Sequence, residues 1–148
     1  MATFGTFTTG QILTAAELNA AGTWVSFTPT WTNLTAGNGI SEFKYSIFNK
    51  ILWVRGTFTL GTTSAVGTTP SITIPLTKTT VGASQGIAEL VDSGTVYTGT
   101  VVAAGTQIYV FSEYSGGTWS ARGTVTAGGP FTWGNGDQIS MFVTMEIA

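Results

Sequence analysis

With no His and no Cys, the chain lacks an imidazole base, a thiolate nucleophile and a disulfide, and the commonest zinc ligands are missing too. What remains for hydrolysis is a pair of carboxylates of the glycosidase kind, drawn from Glu89 with Asp92, Glu113 and Asp137. Asp92 and Asp137 stand in Gly-flanked turns, where Asp is favoured because its side chain bonds nearby backbone. Glu89 is the single acid between Ala88 and Leu90 and reads as a solvent-facing strand residue. No enzyme is expected.

Asn135 and Asp137 offer two oxygen ligands two residues apart, but the further acids of a calcium loop are missing nearby, so neither a metal nor a cofactor is expected. Asn33-Leu34-Thr35 has the form of a glycosylation acceptor, but the first twenty residues show no basic and apolar signal pattern, so no secretory signal is expected. Five Lys and Arg against seven Asp and Glu leave a net charge of -2, which excludes binding nucleic acid by phosphate neutralisation. No apolar run is long enough to insert in a membrane. Ligand recognition falls instead to loop aromatics, which give large, rigid, amphipathic contacts. Tyr114, Trp119, Trp133 and Asn135 are the candidates for a host-surface glycan, with core or interface packing as the competing role.

The elements that must hold these residues are mostly strands. At 148 residues the chain fits one domain, and its Gly and Thr suit strands and tight turns. Residues 1–22 form an opening segment. Thr14 and Glu17 make an S/T-x-x-E cap, Leu13 and Leu18 are placed to staple it, and Gly22 supplies the stop, which predicts a helix of about two turns over 15–21. Phe4, Phe7, Ile12, Leu13 and Leu18 give this arm something to bury, on a partner or on its own domain.

Period-two alternation takes over from Trp24. Val25, Phe27, Pro29 and Trp31 share a face, with Pro29 marking an edge or a bulge. Residues 43–47 and 52–60 alternate on either side of Asn49-Lys50 and predict a hairpin. Further runs at 70–76, 85–91, 95–103, 106–113, 118–126 and 137–147 bring the total to about nine strands, an all-β antiparallel sandwich or jelly roll over 23–148. Several strands are apolar on both faces. Trp53 stands with Arg55 and Thr57, Tyr97 with Val101, and Tyr109 and Phe111 with Gln107 and Glu113. Trp53, Tyr97, Tyr109 and Phe111 are therefore candidates for an outer face covered by further copies.

The run Thr9-Gly10-Gln11-Ile12-Leu13-Thr14-Ala15-Ala16-Glu17-Leu18-Asn19 resembles a recurring start of bacteriophage virion proteins. Trp24 with Phe27-Thr28-Pro29-Thr30-Trp31-Thr32, the Gly37-Asn38-Gly39-Ile40 turn, Phe43-Lys44-Tyr45, Trp53-Val54-Arg55-Gly56 and the closing Trp133-Gly134-Asn135-Gly136-Asp137-Gln138-Ile139 continue a resemblance to small β-rich phage domains. Residues 77–130 carry none of it. The resemblance implies a virion surface protein made in the host bacterial cytoplasm: a head decoration protein or head fibre, or a minor tail or fibre protein. It also implies a trimeric jelly roll similar to the complement C1q and tumour-necrosis-factor folds. The expected function is a homotrimeric knob anchored on the capsid by residues 1–22, its partners the major capsid protein or tail proteins of the same virion. The alternative is a receptor-binding module at the tail tip that recognises host-surface glycans.

Overall fold

The structure, a computed structural model, describes residues 22–148 apart from 49, 77–79, 83 and 115–120, together with Gly10, Ile12, Thr14 and Ala15 of the opening segment. The predicted helix over 15–21 and the arm residues Phe4, Phe7, Leu13 and Leu18 lie outside the described residues.

Ten strands follow in chain order: β1 (Val25–Phe27), β2 (Trp31–Thr35), β3 (Ile40–Phe48), β4 (Ile51–Thr59), β5 (Ala65–Thr73), β6 (Ser84–Asp92), β7 (Thr95–Ala104), β8 (Gln107–Tyr114), β9 (Ala121–Thr124) and β10 (Gln138–Glu146). All pairings are antiparallel, in the order β1-β3-β4-β10-β6-β7-β8-β5-β2, with β9 on β8 beyond the stretch that pairs with β5. The predicted hairpin is β3–β4, paired down to Phe48↔Ile51 with two residues between.

One short connection dictates the shape. Laid flat, a sheet of nine strands would hold β1 and β2 about 38 Å apart, at about 4.8 Å per step. Yet only Thr28, Pro29 and Thr30 join them, a link that reaches at most about 14 Å from Phe27 to Trp31. The sheet must therefore curl until its two ends meet. Aromatic contacts record the closure: Trp31 of β2 packs edge-on to Phe43 of β3 at 6.0 Å and against Phe58 of β4 at 5.2 Å between ring centroids. The result is an all-β, jelly-roll-like sandwich. Pro29 is where the expected single strand over 24–32 divides in two, since proline has no N–H for the ladder. The shared face of Val25, Phe27, Pro29 and Trp31 nevertheless persists across the break, facing inward.

The core lies between the layers. Leu52, Val54 and Phe58 of β4, Leu90 of β6, Val101 of β7, Ile108 and Val110 of β8 and Ile139 and Val143 of β10 are fully buried. They alternate with outward residues that include Arg55, Thr57 and Ser140 but also Trp53, Val102, Tyr109, Phe111 and Phe142. The strand expected at 70–76 begins earlier, at Ala65. Val66 and Ile72 both point inward, as their even spacing requires, and Thr69 at φ 49° lies in the stretch of β5 where the pairing with β2 shifts register between Thr32 and Leu34. Tyr97 is corrected as well. It shares its face with Val101 as expected, but that face is the core side, where Tyr97 stacks on Phe131 at 4.9 Å.

Gly86 of β6 sits opposite Val143 of β10 so closely that a Cβ there would collide with the Phe142 carbonyl. Both groups are backbone and cannot turn aside. Gly86→Ala is expected to cost about 1–3 kcal/mol, measured by urea unfolding.

Candidate functional site

Outward side chains of β1, β3, β4, β10 and β6 line an open trough of about 850 Å3. The ladder registers arrange them in two rows across the strands. One row runs Ser26, Lys44, Arg55, Phe142, Ile87. The next, two residues along each strand, runs Glu42, Thr57, Ser140, Glu89. Each neighbour in a row is one strand spacing away, about 4.8 Å. The hydroxyls of Thr57 and Ser140 are hydrogen-bonded to each other at 2.8 Å and form a short-side-chain floor. Glu42 and Glu89 stand at its two ends, three spacings or about 14 Å apart.

Four of the chain's charged residues, which number five basic and seven acidic in all, therefore gather on one surface. Among the described residues they make no ion pair with one another. Lys44 and Arg55 are direct cross-strand neighbours, an arrangement that like charges disfavour. The ring of Trp24 lies 4.4 Å from the Arg55 guanidinium and holds it by a cation–π contact. Beside them Ile87 and Phe142 are 63% and 41% exposed, so the first row changes from cationic to apolar along its length.

The candidates predicted from sequence lie elsewhere and do not converge. Trp53 is half-buried on the outer face of β4, between Ser46 and Thr144. Tyr109 and Phe111 are half-buried on the outer face of β8, with Arg122 of β9 set 5.1 Å over the Phe111 ring. Four strand steps separate β4 from β8. Trp133 packs against the core, 4.3 Å from Phe131 between centroids, and its indole N–H donates to the Thr126 carbonyl at 2.9 Å. Asn135 is exposed in the turn that follows. Trp119 lies outside the described residues, as does the side chain of Tyr114. Of the arm candidates Ile12 is described, 88% exposed.

The acids weighed for hydrolysis are also spread out. Asp137 is buried and tied to backbone: its carboxylate accepts from Gly134 N at 2.6 Å and from Ser93 N at 3.3 Å. Glu113 is exposed on β8. The Gly82-Ala83-Ser84-Gln85-Gly86 run matches the Gly-x-Ser-x-Gly form of a nucleophile elbow. Ser84, however, opens strand β6, paired with Ala103, rather than a strand-to-helix turn, and the chain has no His to serve it. Among the described residues no group of three acids is placed to hold a metal.

The trough escaped the sequence reading although half of its signal was there. Alternation put Glu42, Lys44, Arg55 and Thr57 outward, but nothing local brings Ser140 and Glu89 beside them; Thr57 and Ser140 are 83 residues apart in sequence. Comparison of the chain with protein-family models, with curated proteins and with solved structures finds no match.

Proposed function

We propose that this chain is a non-enzymatic structural protein of a bacteriophage virion: a homotrimeric surface knob, held on the capsid by residues 1–22 in the manner of a decoration protein or head fibre. The observation that carries the reading is the outer face of β7–β8. Val102 there pairs with Tyr109 and Thr100 with Phe111, Val96 is 58% exposed, and Glu113 is the sole charge on the two strands' outer positions. A face whose charges are Glu113 and the Arg122 that β9 lays over Phe111, and which otherwise presents Val, Thr, Tyr and Phe, suits contact with identical neighbours better than contact with water. The run from Thr9 to Asn19, and Trp24 with Phe27-Thr28-Pro29-Thr30-Trp31-Thr32, which carry the sequence resemblance to virion proteins, support the arm as anchor. So does its exit: Trp24 leaves the body on the outer surface of the opposite layer, against Arg55, clear of β7–β8.

Deleting residues 2–22 is expected to leave the body folded and trimeric but to remove it from purified particles, read by quantifying the protein in virions assembled with the truncated chain. Normal incorporation of the truncated chain would contradict the anchor.

A second expectation follows for the interface. Tyr109→Asp together with Phe111→Asp places two charges on each copy's contact face and is expected to convert trimer to monomer at micromolar concentration, as seen by size-exclusion chromatography. Both side chains point away from the core, so the thermal transition of the monomer should persist.

A further inference from the structure

We propose that the trough across β1, β3, β4, β10 and β6 is a binding site for an uncharged, hydroxyl-rich polysaccharide segment lying across the strands. This goes beyond the virion reading and does not depend on it.

Glu42 and Glu89 offset Lys44 and Arg55, so the trough has no net formal charge and no preference for a polyanion or a polycation. It is nevertheless dense in strong hydrogen-bonding groups. The carboxylates accept only, Lys44 and Arg55 donate only, and the hydroxyls of Ser26, Thr57 and Ser140 do both. A ligand that satisfies all of them must carry donors and acceptors at short intervals, as the hydroxyls of a sugar chain do. Phe142 and Ile87 meanwhile offer an exposed apolar wall, and the C–H face of a pyranose can lie against an aromatic ring as a hydrophobic surface.

Geometry points the same way. The groups recur at the strand spacing of about 4.8 Å, close to the repeat of a linear pyranose chain, so successive sugars would meet successive strands. The about 14 Å between Glu42 and Glu89 leaves room for a short run of sugars between the carboxylates. An extended peptide fits less well. β4, β10 and β6 are each paired on both sides, which leaves no free backbone on the trough floor for strand addition.

The test is isothermal titration of the full chain with cellohexaose, chitohexaose and maltohexaose at millimolar concentrations. At least one is expected to bind, with Glu89→Gln and Phe142→Ala each weakening it about tenfold or more, the effect of losing one charged hydrogen bond or one stacking face. Both side chains are exposed, so the melting temperature should stay unchanged, and Thr35→Ser at the exposed end of β2, outside the trough, should bind like the parent. Absence of binding to all three hexasaccharides would overturn the proposal. Unchanged affinity in both trough variants would overturn it too, as would a fall in oligomer mass on Phe142→Ala, which would assign the trough to contact between copies.

Discussion

Phe58→Ala is expected to lower the unfolding free energy by about 3–5 kcal/mol, the cost of a large cavity in a packed interior. Phe58 is fully buried on β4 and touches Trp31 of β2, so its ring joins two strands that lie far apart in the sheet order. Removing it takes away part of the contact that closes the curl as well as the apolar area itself. Guanidinium unfolding followed by Trp fluorescence measures the loss. Trp31→Phe makes an informative partner. The Trp31 indole N–H is buried without a hydrogen-bond partner, so the smaller ring loses contact area but also relieves an unmet donor. Its cost should be well below that of Phe58→Ala.

Asp137→Ala is the second large effect, about 3 kcal/mol, for a different reason. This carboxylate binds two backbone N–H groups from separate loops, at Gly134 and Ser93, and its own carbonyl accepts from Leu60 N at 2.8 Å. Three chain segments thus meet at one buried residue. Alanine keeps the backbone bond but strands two donors, each bonded to a charged acceptor worth about 1.5–3 kcal/mol. Asp137→Asn retains one side-chain oxygen and should recover part of the loss, which separates the hydrogen bonds from the packing. Thermal unfolding of the three proteins checks the order, parent above Asn above Ala.

How far the fold could be read from sequence depended on whether the signal was local. The β3–β4 hairpin was legible because its two alternating runs are separated by only two residues. The turn role of Asp137 was legible from its glycine neighbours. Tyr97 was grouped correctly with Val101 but placed on the wrong side, because both faces of β7 are apolar: Val96 and Val102 on one, Tyr97 and Val101 on the other. Period two separates two faces without saying which is inside, and Gly99 and Ala103 made the true core face look the weaker one. The β1–β2 break shows the same limit. Proline announced an interruption, but that the chain crosses there from one end of the sheet to the other follows only from the whole ladder. The trough needs that ladder too, since its floor joins β4 to β10 and its acidic ends belong to β3 and β6.

The two layers divide the work in this account. Under the proposed function the β7–β8 face, short of charge, is the one that would meet other copies, and the side where the charges gather and from which the arm departs stays clear of that contact. Every part of that division rests on association. The most direct test is the solution mass of the purified chain by light scattering, with and without residues 2–22. About three chains are expected in both forms, which would place trimerisation in the β-body. A mass of one chain in both forms would contradict it, because the outer face of β7–β8 would then be a surface this protein keeps in water.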